Sequence, residues 1–203
     1  MSESDFTFST EDVDGTGEEG FGPVFEEDHG PAPHEPYQEA AGDDDAQMIV
    51  LHNMDGSTDV FIDRDGDGRI DAILHDTDGD GIPEAAAYDT DGDGRIDTIL
   101  QDYDGDGVVD EAFLDTNADG RIDVVETDLD GDGRMDQVVA DTNFDGRPDT
   151  WIRDTNSDGQ PDVVGYDLDG DGQADRIVRD TDHDGFADQV TYLRPDTNPF
   201  AAK

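Results

Sequence analysis

The chain has 203 residues, with 57 acidic and 11 basic side chains and a formal net charge of −46. That charge excludes an ordinary nucleic-acid binder, whose target phosphates it would repel, and disfavours an anionic membrane surface; cations are the expected partners. With 32% hydrophobic residues and no Cys, a large conventional core, disulfide staples and Cys-based zinc or iron–sulfur sites are also excluded.

Residues 1–46 hold 15 acids and no Lys or Arg, with many Gly and Pro and no periodicity. They read as a solvated, disordered acidic tail. A sharper reading is an acidic-aromatic interaction segment using Phe6, Phe8, Phe21, Phe25 and Tyr37. The opening Met-Ser-Glu-Ser-Asp lacks the basic and apolar regions of a secretory signal. No run reaches the roughly 18 apolar residues of a membrane span. A cytoplasmic protein, or one exported by a route not readable from the sequence, is expected, without membrane insertion.

Residues 47–62 form a degenerate cap, in which Asn53, Asp55, Gly56 and Asp59 are a worn copy of the repeat that begins at Asp63. From Asp63 to Tyr192 the chain is ten consecutive 13-residue repeats without insertion. The repeat reads D-x-[DN]-x-D-G-x-φ-[DE]-x-φ-x-x, with φ apolar or Pro in every copy. Its first half is Asp/Gly turn chemistry and its second half suits a short strand. No segment between the loops is long enough for a stable helix. Residues 193–203 lose the pattern and form a C-terminal tail.

Position 1 is Asp63, Asp76, Asp89, Asp102, Asp115, Asp128, Asp141, Asp154, Asp167 and Asp180. Position 3 is Asp65, Asp78, Asp91, Asp104, Asn117, Asp130, Asn143, Asn156, Asp169 and Asp182. Position 5 is Asp67, Asp80, Asp93, Asp106, Asp119, Asp132, Asp145, Asp158, Asp171 and Asp184. Position 9 is Asp71, Glu84, Asp97, Asp110, Asp123, Asp136, Asp149, Asp162, Asp175 and Asp188. Alternate acids turned toward one centre, with Gly at position 6 for the bend, suit Ca²⁺, a hard cation taking six to eight oxygens at about 2.3–2.6 Å. Asn at position 3 keeps an oxygen and drops a charge. Position 7 varies, as a residue giving only its carbonyl would. About ten Ca²⁺ ions, one per loop, are therefore expected; they would bring the net charge from −46 to −26.

The first nine positions resemble an EF-hand loop, but the bidentate Glu of position 12 has a counterpart only at Glu126, and flanking helices are lacking. The nine-residue loop is similar to the calcium loops of FG-GAP propeller blades, in which a final Asp closes the site between two strands. The tandem 13-residue spacing resembles thrombospondin type 3 repeats, without their Cys. All three resemblances imply calcium binding.

Position 13 is polar in odd repeats (His75, Gln101, Thr127, Arg153, Arg179) and apolar or aromatic in even ones (Tyr88, Leu114, Ala140, Tyr166, Tyr192). The pattern implies a 26-residue unit with two different strands. An all-β array is expected: a β-solenoid of 26-residue coils, or alternatively an antiparallel meander with loops at alternating ends. Positions 8 and 11 are expected to make a thin core, and the expected core residues are Ile70, Ile73, Ile96, Ile99, Val109, Ile122, Val125, Trp151 and Ile177, together with Ile152 at position 12.

His29, His34, His52, His75 and His183 recur at no fixed repeat position and read as surface residues. No nucleophile–base pair stands out, so no enzyme is expected. A calcium-stabilised structural or adhesive module is the leading reading, with a buffer or sensor as the alternative. A third reading, an ice- or mineral-surface binder, rests on Thr at position 2 (Thr77, Thr90, Thr116, Thr142, Thr155, Thr181), an array that Tyr103, Leu129 and Leu168 interrupt. A protein partner is not legible.

Overall fold

The computed structural model describes residues 47–194, so the readings of residues 1–46 and of most of the C-terminal tail lie outside the described residues. Each Asp/Gly half-repeat is a loop and each apolar half-repeat a strand. The strands are β1 (Gln47–His52), β2 (Thr58–Asp63), β3 (Ala72–Asp76), β4 (Ala85–Tyr88), β5 (Thr98–Gln101) and β6 (Glu111–Leu114). They continue as β7 (Val124–Thr127), β8 (Gln137–Ala140), β9 (Thr150–Arg153), β10 (Val163–Tyr166), β11 (Arg176–Arg179) and β12 (Gln189–Tyr192). No helix occurs among the described residues.

The strands lie side by side in chain order as one open sheet, each antiparallel to the next. Strand contacts are confined to sequence neighbours, so the sheet is a single layer. The antiparallel meander, the second of the two architectures open from the sequence, is the one formed. A solenoid would stack parallel strands, and none of the ladders is parallel.

One repeat is one loop plus one strand, so each repeat reverses the chain and the next restores its direction. Reversal also swaps which strand positions share a face. Position 12 of an odd repeat lies opposite position 11 of an even one: Leu74, Ala86, Leu100, Ala112, Glu126, Val138, Ile152, Val164 and Val178 are successive partners across the sheet. The same inversion puts polar position 13 of odd repeats on one face and its apolar counterpart in even repeats on the other.

This row is the core. Ala86, Leu100, Ala112, Val138, Ile152 and Val164 are all buried, and Val60 of β2 continues the row. Met135 and half-buried Val109, both at position 8 of even loops, fold down onto Ala86, Leu100 and Ala112. The expected core is therefore corrected. Of its ten members only Ile152 is buried, and Ile122 is 42% exposed. Ile73, Ile99, Val125, Trp151 and Ile177 form a half-buried row on the opposite face. A fixed repeat position cannot line one face when alternate strands are inverted.

Candidate metal centres

The loops are folded by their own carboxylates. In the loop 89–97, Asp89 accepts the N–H groups of Gly92 (2.8 Å) and Gly94 (2.6 Å), one on each carboxylate oxygen. Asp91 accepts from the Asp93 N–H at 3.0 Å, and Asp93 from the Arg95 N–H at 2.9 Å. Asp97 accepts the Thr90 N–H at 2.7 Å and the Thr90 hydroxyl at 2.8 Å. These are Asx turns in series, and they leave each carboxylate with free lone pairs. The pattern recurs from Asp63 to Asp188. Asn117, Asn143 and Asn156 accept the position-5 N–H through their amide oxygens as Asp does, at 2.8, 3.0 and 3.0 Å.

Positions 4 and 6 need left-handed backbone. Gly94 has φ 91°, and a Cβ there would also lie 3.0 Å from the Arg69 guanidinium. Where position 4 is not Gly, the residue still adopts the left-handed conformation: Ala118, Phe144, Ser157 and His183 have φ between 56° and 60°. Such backbone costs roughly 1–2 kcal/mol per residue.

This folding gathers oxygens. Carboxylate oxygens of Asp63, Asp65 and Asp71 lie within 4.8 Å of one another, as do those of Asp89, Asp91 and Asp97, of Asp102, Asp104 and Asp110, and of Asp128, Asp130 and Asp136. In the second loop Asp76, Asp78, Asp80 and Glu84 converge in the same way, so position 5 joins the group there. Atoms about 2.4 Å from a shared ion can be at most about 4.8 Å apart, so the spacing suits ligands of one cation. All ten position-1 carboxylates are buried, and so are Asp97, Asp123, Asp136, Asp149, Asp162 and Asp175 at position 9. Asp71, Glu84 and Asp110 are half-buried and Asp188 is exposed, as are most side chains at positions 3 and 5.

Local fields differ between loops. Burial opposes the charge on Asp162, but the Thr155 hydroxyl and N–H, with His183, hold its carboxyl below the usual range. Burial likewise opposes the charge on Asp167, whose backbone donors Gly172 and Gly170 outweigh it. The Thr181 hydroxyl lowers Asp188. Asp182 is raised by the neighbouring charges of Asp184 and Asp188. Asp175 is the extreme case of burial: its side chain is fully buried, and its Oδ1 has no hydrogen-bond partner. A cation would offset such crowded charge, and an all-oxygen donor set suits a hard divalent ion over a transition metal.

The loops form two rows, one along each end of the strands. The N–H of Asp89 donates to the Asp71 carbonyl at 2.8 Å, Asp115 to Asp97 at 2.7 Å and Asp141 to Asp123 at 2.8 Å, and Asp167 continues to Asp149. On the other edge Asp102 bonds Glu84, Asp128 bonds Asp110, Asp154 bonds Asp136 and Asp180 bonds Asp162. Each of these position-1 residues thus hangs from the position-9 residue of the preceding loop on the same edge. Two strand spacings put neighbouring sites roughly 10 Å apart. Side chains bridge the same gap. Ser157 donates to Asp130 at 2.7 Å, Arg69 to the Asp93 carbonyl at 2.8 Å and Arg147 to the Gly170 carbonyl at 3.3 Å.

Sequence reasoning missed these bridges. Arg69, Arg95, Arg121, Arg134 and Arg147 place nearly half of the chain's 11 cations at position 7, a concentration that could have revealed them. The Thr residues at position 2 also have a local task. Thr90, Thr116, Thr142, Thr155 and Thr181 each donate a hydroxyl to the position-9 carboxylate of their own loop. In the worn cap, Asp59 is held by the Asn53 amide at 2.8 Å and by His75 at 2.6 Å. Comparison with protein-family models, curated proteins and solved structures finds no match to this chain.

Proposed function

We propose that the protein binds Ca²⁺ through its ten loops and that the ions make the sheet a rigid, extended structural or adhesive module. The observation that carries this reading is the convergence of positions 1, 3 and 9 onto a common centre in successive loops, over buried position-1 carboxylates. In each loop the carboxylates at positions 1, 3, 5 and 9 and the position-7 carbonyl would hold the ion, with Asn117, Asn143 and Asn156 giving amide oxygens. The ion would supply positive charge to the buried acids. Ca²⁺ is favoured over Mg²⁺ because a flexible ring of many protein oxygens suits a large ion; Mg²⁺ keeps most of its waters.

A structural role is favoured over a sensor by the linear packing. A sensor must open to expose an apolar surface on binding. Among the described residues each strand touches only its sequence neighbours, and ions would stiffen an array in which no second layer is seen to be released.

Isothermal titration of the metal-stripped chain with CaCl2, repeated in excess MgCl2, tests the reading. Dissociation constants on the order of 10⁻⁵ to 10⁻³ M, little changed by Mg²⁺, are expected. Absence of heat and of bound calcium at millimolar concentration would overturn it.

A further inference from the structure

The last loop of one row, 167–175, is followed on its own edge by the end of the repeat array. The N–H of Leu193 donates to the Asp175 carbonyl at 2.7 Å, as position 1 of an eleventh loop would. Arg194 turns back over the site. Its guanidinium donates through one terminal nitrogen to Asp169 at 2.7 Å and through the other to Asp171. Its Nε lies 3.5 Å from Asp175 Oδ1, the fully buried oxygen with no hydrogen-bond partner. Arg194 therefore engages positions 3, 5 and 9 of the loop, three of the four side chains that would hold an ion.

We propose that Arg194 is a tethered cation for the loop 167–175, so that this site takes a divalent ion only when the guanidinium is displaced. A planar guanidinium offers paired donors to carboxylates but cannot pull oxygens in to metal-ligand distance. Asp175 Oδ1 accordingly stays without a hydrogen bond while Asp169 and Asp171 are satisfied. The row that begins at Asp63 thus ends on a charge supplied by the chain itself. Calcium fills the other nine loops first, and the tenth ion releases residues 193–194 from the edge.

The inference rests on the calcium reading. Equilibrium dialysis of the full-length chain, as R194A, R194Q and the unaltered protein, against a series of free CaCl2 concentrations tests it. The unaltered protein should bind nine ions together and the tenth at about five- to tenfold higher free calcium, the scale of a bidentate ion pair lost to competition. Both variants should bind ten ions in one transition. Ten alike in the unaltered protein would overturn the proposal without any variant, and so would a weak tenth ion that persists in R194A and R194Q. No calcium bound by any of the three would overturn this inference and the calcium reading together.

Discussion

At the scale of single residues, burial and left-handed backbone decide which positions matter. Ile152 is 2% exposed in the central row, whereas Ile122, equally apolar by sequence, is 42% exposed. Ile152→Ala should cost about 2–5 kcal/mol of stability in saturating calcium, and Ile122→Ala less than about 1 kcal/mol. Equal costs, measured by denaturant melts, would contradict the assignment of the core face. His183 offers a titration probe. Its hydrogen bond to Asp162 raises its pKa above the ordinary 6.5, while Asp162 is lowered. In a calcium-held sheet whose loop 154–162 lacks its ion, the pair contributes above the depressed Asp162 value, is fully present on the histidine side below pH 6.5, and is lost as pH rises through the raised His183 value. Calcium on Asp162 withdraws that partner, so in saturating calcium His183 should titrate close to its value in D162N. Proton NMR of the imidazole, in saturating calcium throughout, reads this out; a His183 pKa well above that of D162N would mean that the ion does not reach Asp162.

At the scale of elements, sites couple along an edge and not along the chain. Consecutive loops lie at opposite ends of a strand, whereas alternate loops share a backbone bond between position-1 and position-9 residues, as Asp89 does with Asp71. Removing the Asp102 carboxylate by Asp102→Ala should weaken the sites at 76–84 and 128–136 on its own edge by several-fold. The sites at 89–97 and 115–123, nearer in sequence, should change little. Terbium luminescence with a single Trp placed beside each loop would separate the two patterns. Much of the element level was legible in the sequence. The 13-residue register marks each loop and strand, because Asp-x-Asp-Gly turns and β-branched quartets differ so sharply in chemistry. Which side chains form the core was not. Alternating character at position 13 is satisfied by any array whose successive strands present opposite faces, so Tyr88 and Gln101 fit a coil as well as a meander. The rows of loops were hidden for a related reason: no periodicity shows that Gly94 lies beneath Arg69, which belongs to the loop two repeats earlier.

At the scale of the whole molecule, the sheet is a one-dimensional array with two charged margins. Deleting residues 89–114 removes one loop from each row and restores strand direction, so every later residue keeps its face. Deleting residues 89–101 alone inverts all later strands and moves Ile152 and Val164 out of the buried row. The longer deletion should melt close to the full chain in saturating calcium, and the shorter should melt far lower or not fold. Equal stability would show that the two faces are interchangeable. The central claim is that metal and fold are one event: the core is little more than one row of side chains on one face, interrupted by the buried acid Glu126, and the loops bury sixteen carboxylates at positions 1 and 9. Each site filled at 100 times its dissociation constant adds roughly 2.7 kcal/mol, so a few ions outweigh the roughly 5–15 kcal/mol stability of an ordinary domain. Far-ultraviolet circular dichroism during calcium addition to the EDTA-stripped chain tests this most directly. The account predicts that the β signal is absent in EDTA and rises steeply as calcium fills the loops; a full β spectrum in EDTA, unchanged by calcium, would contradict it.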